Sequence, residues 1–237
     1  MHAPPPPPPI PVDILLAAYR SGIFPMADAR DETEIFWVEP RERAIIPLDG
    51  FPASTSLRKL LRQQRFEVTC NRDFAAVVDG CAEPRPDGED SESGTWISHG
   101  IEASYTALHQ AGHAHSIEVW REGGLVGGLY GVDLPGTFCG ESMFSRADNA
   151  SKIALAWLVA AMRECGKQLL DCQFITSHLR SLGAQTLSQD DYLTLLRRAL
   201  KSESVTLPEG FGALEARAQA SGVSPGKLIA QSFTHTS

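Results

Sequence analysis

Three side chains in one strand–helix–strand pattern have the types needed to handle an amine. Glu141 stands in Phe138-Cys139-Gly140-Glu141-Ser142-Met143-Phe144-Ser145-Arg146, and Asp171 and Gln173 stand in Asp171-Cys172-Gln173. Carboxylates can hold a cationic amine or accept its proton, and an amide can donate to a developing negative charge. Between the two stretches runs an apolar helical pattern, from about residue 149 to 165. Such a unit makes a right-handed crossover into parallel strand pairing. That would bring Glu141, Asp171 and Gln173 toward one region of a sheet. The same pattern fits an ordinary α/β core with polar strand ends, and spacing alone leans that way.

Other chemistries find less support. Gly140-Glu141-Ser142-Met143-Phe144 is half of a nucleophile elbow, which needs glycine where Phe144 stands. Cys172 and His178 could pair as nucleophile and base, but cysteine more often serves as a small buried apolar residue. Neither G-x-x-x-x-G-K-[ST] nor G-x-G-x-x-G occurs, so nothing points to ATP or a dinucleotide. The five cysteines (Cys70, Cys81, Cys139, Cys165, Cys172) are odd in number and contain no C-x-x-C. They suggest neither a disulfide framework nor a zinc site, and a reducing cytosol is the default. His113 and His115 share a face if extended, yet two histidines read better as strand entry than as a metal site.

A chain of 237 residues can bury a sizeable core in one large or two small domains. Its net charge of −8 argues against broad nucleic-acid binding but leaves room for a local basic face. Arg58, Lys59, Arg62 and Arg65 form one, on a helix whose other side carries Leu57, Leu60 and Leu61. A solvated helix face and a phosphate contact both fit; the acidic stretch at residues 86–93 weighs against the second. No apolar run reaches the roughly 18 residues that span a bilayer. Met-His followed by prolines is no signal peptide, so a cytoplasmic protein without membrane contact is expected.

The elements divide the chain into four parts. Residues 1–11 are a disordered proline-rich tail, and 12–52 a small N-terminal domain with a helix closed by Gly22 and two strand-like runs, 34–38 and 43–46. Residues 53–201 form the main α/β domain, with a hairpin turning at Gly123-Gly124 ahead of the strand–helix–strand unit. Residues 202–237 carry two weak helical patterns and read as an appended extension. The fold class is α/β.

The motifs also resemble a known family, the leucyl/phenylalanyl-tRNA–protein transferases. The matching stretches are residues 15–26, ending in Gly22-Ile23-Phe24-Pro25-Met26, then Gly94-Thr95-Trp96-Ile97-Ser98 and Gly112-His113-Ala114-His115-Ser116-Ile117-Glu118-Val119-Trp120. Residues 138–146, Asp171-Cys172-Gln173, Ser181-Leu182-Gly183-Ala184 and Asp191-Tyr192-Leu193 follow in order. The resemblance implies a GNAT N-acetyltransferase-like catalytic domain with a small N-terminal domain. It implies transfer of Leu or Phe, and less readily Met, from tRNA to the α-amine of proteins beginning with Arg or Lys, which marks them for degradation. Because an aminoacyl ester is already activated, no cofactor or metal is expected. A monomer is expected.

By the same resemblance, Asp171 and Gln173 form the amine-handling centre. Asp171 positions or deprotonates the amine directly, or polarises Gln173, which could instead donate to the oxyanion; proton transfer through the tRNA ribose is a further alternative. Glu141 adds negative charge for a cationic acceptor. Trp37 and Trp96 would stack on the terminal adenosine of the tRNA, with Tyr105 nearby. Leu129, Phe138, Leu155, Met162 and Leu170 would line the amino-acid pocket, and Arg58, Lys59, Arg62 and Arg65 would touch acceptor-stem phosphates. An acyl-CoA-dependent N-acyltransferase and a non-catalytic binder of basic N-termini or charged tRNA are the rivals. The first lacks its phosphate loop after residues 126–132.

Overall fold

Local signals set the element boundaries in the computed structural model, which describes residues 8–84 and 94–233. Residues 1–7 of the proline-rich tail, the acidic stretch 86–93 and residues 234–237 lie outside that range. Helix α1 (Val12–Arg20) buries Leu15, Leu16 and Tyr19 on one side. Strands β1 (Phe24–Met26) and β2 (Phe36–Val38) pair antiparallel as a separate ribbon, and β3 (Glu42–Ile46) follows. Helix α2 (Thr55–Gln63) starts where the Ser54 hydroxyl accepts from the Leu57 N–H. After β4 (Glu67–Cys70) come α3 (Phe74–Ala82), capped by Asp73, and α4 (His99–Gln110), capped by Ser98.

A meander of β5 (Ala114–Arg121), β6 (Gly124–Leu134) and β7 (Thr137–Ser145) comes next. The β5–β6 turn is Glu122-Gly123, with positive φ at both, one residue earlier than the Gly-Gly pair suggests. Helix α5 (Ala150–Glu164) then crosses to β8 (Leu169–Gln173). The chain ends in α6 (Ser177–Ser181), β9 (Gln185–Ser188), α7 (Gln189–Ala199), α8 (Leu207–Ala220) and α9 (Pro225–Ser232).

The main sheet has seven strands in the order β4-β5-β6-β7-β8-β3-β9. Its neighbours are antiparallel except β7 and β8, which α5 joins in parallel, as the strand–helix–strand pattern requires. One hydrophobic core joins α5 to Leu129, Phe138 and Leu170 of the sheet. A second lies under α1, α3 and α4, around Tyr105, Tyr130 and Cys139. The result is a mixed α/β catalytic domain with a small N-terminal unit, the order of elements expected of an N-acetyltransferase-like fold.

Two boundaries differ from the sequence reading. Strand β3, grouped with the small N-terminal domain at 12–52, is paired on both edges inside the main sheet, so that domain ends before Glu42. The segment after 202 is likewise no appendage. Leu207, Phe211, Leu214, Ile229, Ala230 and Phe233 belong to the main core. A Cβ at Gly210 would lie 2.1 Å from Cys165 Sγ, so glycine is what lets α8 approach α5 this closely. Glycine and alanine at the contact give little hydrophobic pattern, which is why the segment looks peripheral in sequence.

Candidate active site

The parallel pair splays. β7 and β8 pair only at Thr137–Leu169, Phe138–Leu170 and Cys139–Asp171, after which β7 runs on to Ser145 and β8 to Gln173. Pairing therefore stops at Cys139 and Asp171, toward the carboxyl ends of the two strands, which is where α/β sheets take their ligands. Both strands are bulged there. Gly131 pairs with Gly140 while Tyr130 pairs with Ser142, so Glu141 is the extra residue of β7. Ala44 pairs with Gln173 and Ile45 with Asp171, so Cys172 is the extra residue of β8. A bulge re-aims the side chain beside it. At Gly131 a Cβ would lie 2.2 Å from Cys139 O, so the close approach at the first bulge requires glycine. Gln173 has φ of +58°, a conformation a side chain seldom adopts without surroundings that impose it.

Asp171 is one of those surroundings. It is 0% exposed, and its carboxylate takes a bidentate pair from Arg43, with Nε at 2.8 Å and Nη2 at 2.6 Å. The Tyr192 hydroxyl donates to it at 2.9 Å, and so does the backbone N–H of Gln173 at 2.9 Å. Arg43 is held between the rings of Phe24 and Tyr192, each centroid 4.7 Å from Cζ, and donates to Gly22 O. Burial lowers the guanidinium's pKa, and the Asp171 charge more than reverses this, raising it. The carboxylate is thus already committed, and it fixes the backbone that carries Gln173.

Glu141 is in a different state. The Tyr105 hydroxyl donates to its Oε2 at 2.8 Å, and Tyr19 and Tyr105 share a 2.5 Å hydrogen bond behind it. Among the described residues, its Oε1 and the Gln173 Nε2 are both buried without a hydrogen bond. Burial pushes the Glu141 carboxyl up to about 7. The tyrosines and the Gln173 amide oppose that rise, and the Asp171 charge adds to it. The Gln173 amide lies close enough to Glu141 to favour its charged form without making a well-formed hydrogen bond to it, so the carboxyl can accept a proton at working pH and the amide N–H beside it can turn to donate to an oxyanion.

Family models cover most of the chain. The leucyl/phenylalanyl-tRNA protein transferase model matches residues 45–197, and the model of that family's N-terminal domain matches 9–41. The chain belongs to the leucyl/phenylalanyl-tRNA–protein transferases. A protein of that name from Novosphingobium aromaticivorans is 52% identical, over 96% of this chain and 97% of that one. Another, from Rhizorhabdus wittichii, is 59% identical over 79% of this chain and 74% of its own. Among solved structures, a crystal structure of FemX is similar at 13% identity, with a TM-score of 0.49 over 78% of this chain and 71% of that one.

The other residues expected to serve this transferase are spread over several elements. Trp37 lies on β2, 45% exposed, and Trp96 is half-buried before α4. Their segments are tied through Arg30, which donates to Ile97 O and Glu102. Tyr105 is corrected: it is fully buried, offers no face to an adenine, and serves Glu141 instead. Leu129, Phe138, Leu155, Met162 and Leu170 share the core between the sheet and α5, each at most 3% exposed. Lys59, Arg62 and Arg65 are exposed on or just after α2, while Arg58 is half-buried.

Arg43, Tyr19 and Tyr192 escaped the sequence reading of this transferase. Arg43 had a signal: a lone cation opening the apolar run Arg43-Ala44-Ile45-Ile46. A buried cation needs a buried anion. Tyr19 and Tyr192 stood inside stretches that match the family, but a buried aromatic on a helix looks like any core residue, so neither drew a role.

Proposed function

We propose that this transferase moves Leu or Phe, and less readily Met, from its tRNA to the α-amine of proteins beginning with Arg or Lys, in the cytosol, as a mark for degradation. The observation that carries the reading is the pair of adjacent buried polar atoms, Glu141 Oε1 and Gln173 Nε2, which lack a well-formed hydrogen bond where the β7–β8 pairing ends. Glu141 Oε1 accepts from the entering ammonium group and takes its proton, so that the neutral amine can attack the ester carbonyl. The new C–N bond forms and the carbonyl oxygen becomes an oxyanion, to which Gln173 Nε2 donates. Collapse breaks the ester C–O bond, the proton on Glu141 passes to the departing ribose oxygen, and the carboxylate so restored takes the second proton from the new amide nitrogen and releases it to solvent. The same negative charge favours a cationic acceptor residue.

Asp171 acts through Gln173. With Arg43 and Tyr192 on its oxygens it is a positioning residue, and direct deprotonation of the amine by Asp171 is not supported. Leu129, Phe138, Leu155, Met162 and Leu170 share one core cluster drawn from β6, β7, β8 and α5 and are apolar, as a Leu or Phe side chain requires. Such a pocket separates side chains by only about 1–3 kcal/mol per methylene, which leaves weaker transfer of Met. Trp37 and Trp96 would stack on the terminal adenosine.

The test is to incubate the protein with labelled leucyl-tRNA and a peptide beginning with Arg, without ATP or coenzyme A. The expected result is a peptide one Leu longer, with none formed from an N-acetylated control. An unlabelled peptide would overturn the reading. Acetylation of the same peptide by acetyl-CoA would favour an acyl-CoA enzyme instead.

A further inference from the structure

Two tyrosines from distant parts of the chain hold Glu141. Tyr19 lies on α1 of the small N-terminal unit and Tyr105 on α4, and they are 1% and 0% exposed. A phenol has one hydrogen to give, and an ionised carboxylate only accepts. The Tyr105 hydrogen therefore lies on its 2.8 Å bond to Glu141 Oε2. The 2.5 Å contact between the two hydroxyls then runs from Tyr19 to Tyr105. The result is a directed chain, Tyr19 O–H to Tyr105 O–H to Glu141 Oε2, in which each donor polarises the next.

Burial holds both phenols well above their ordinary pKa, so both stay protonated donors. They favour the charged form of Glu141 against the burial that disfavours it. Other groups face Glu141 as well. Burial keeps Cys139 of β7 and Tyr130 of β6 protonated. Asp171 of β8 is ion-paired to Arg43 of β3, and Gln173 is an amide with no proton to titrate. Three residues after Tyr19, the Gly22 carbonyl accepts from Arg43, so one short segment steadies both carboxylates of the centre.

We infer that Tyr19 is a positioning residue of the transfer reaction, whose hydroxyl, acting through Tyr105, ties down Glu141 Oε2 and leaves Oε1 to the reacting amine. The inference rests on the transfer reading above and adds that the N-terminal unit completes the base. Without the chain the carboxyl is free to present either oxygen, and fewer donors oppose the effect of its burial.

The test is the single-turnover rate of transfer from leucyl-tRNA to a peptide beginning with Arg, at pH 6 and pH 9. It compares wild type, Tyr19→Phe, Tyr105→Phe, Glu141→Gln and the Tyr19→Phe, Glu141→Gln double variant. Phenylalanine keeps each ring and removes only the hydroxyl, and melting curves report that the variants fold. Losing one donor should raise the Glu141 inflection by about 0.5–1 pH unit. The loss in Tyr19→Phe should then be about three- to tenfold greater at pH 6, below the inflection, than at pH 9, above it. Tyr105→Phe should show at least as large a difference. In the Glu141→Gln background, Tyr19→Phe should cost the same at both pH values, because the group it tunes is gone. A Tyr19→Phe loss equal at pH 6 and pH 9 in the otherwise wild-type protein would mark a merely structural hydroxyl and overturn the inference, leaving Glu141 as the base. A pH-selective loss that persists in the Glu141→Gln background would overturn it too. If wild type and Glu141→Gln share one pH profile, the Glu141 base is overturned and this inference with it. Absence of any transfer would overturn the transfer reading itself.

Discussion

At the residue scale, two carboxylates of equal standing in the sequence are separated by what surrounds them. Asp171 carries a bidentate arginine and a tyrosine, and Glu141 keeps one oxygen free. Breaking a buried ion pair by removing one partner costs about 3–5 kcal/mol, because the other charge is left uncompensated. Asp171→Asn and Arg43→Met should therefore each lower the free energy of unfolding by about that amount in denaturant titrations. Losses under about 1 kcal/mol would show that the pair is not what holds Gln173. Glu141 carries the opposite consequence. Its folded-state pKa is raised from 4.5 to about 7, so the stability it contributes is complete below about 4.5 and is lost as pH rises through about 7. Glu141→Gln should then be more stable than wild type above pH 7, by up to about 3 kcal/mol, with the gap closing toward about pH 4.5. A gap that does not change with pH would contradict this. Glu141, Asp171 and Gln173 were conspicuous as carboxylates and an amide at strand ends, though spacing alone leaned toward an ordinary core and only the family resemblance gave them roles. Their division of labour was not, because it depends on Arg43, 128 residues before Asp171.

At the scale of elements, the α5 crossover was legible from hydrophobic pattern and the bulges were not. An alternating strand pattern carries no mark for one extra residue, so Glu141 and Cys172 read as ordinary strand positions. The bulge geometry makes Gly131 sensitive. Gly131→Ala forces a Cβ against Cys139 O and the Phe138 ring, and should cost about 1–3 kcal/mol through overpacking. It should also lower transfer by more than the unfolded fraction accounts for, measured where the variant is still folded. Transfer in proportion to folded protein would mean that the bulge does not set the Glu141 geometry. The basic face of α2 was legible as charge, though not as contact. Reversing Lys59 and Arg62 should weaken tRNA binding and flatten its salt dependence, and an unchanged slope would leave the helix as a solvated face.

At the scale of the whole molecule, the flanking segments are part of the catalytic body. The N-terminal unit reaches the centre through Gly22 O and the Phe24 ring on Arg43, and α8 and α9 complete the core beneath α5 and α2. Truncation after Ser202 should strip cover from Trp157, which stacks on Phe211, and from Cys165, which lies against Gly210, and lower the melting temperature by more than about 10 °C, given about 2–4 °C per kcal/mol at this size. An unchanged melt would restore the view of an appended segment. The central claim is that Glu141 takes the proton of the attacking amine. Its most direct test is the single-turnover rate of transfer from leucyl-tRNA to a peptide beginning with Arg, measured from about pH 5.5 to 9 in wild type and in Glu141→Gln. Wild type should rise through an inflection near pH 7, set by burial of Glu141, beside a second near 8 from the peptide amine. Glu141→Gln should lose the first inflection, keep the second, and run about 10²–10⁴-fold slower. A variant that keeps the wild-type rate and both inflections would contradict the account.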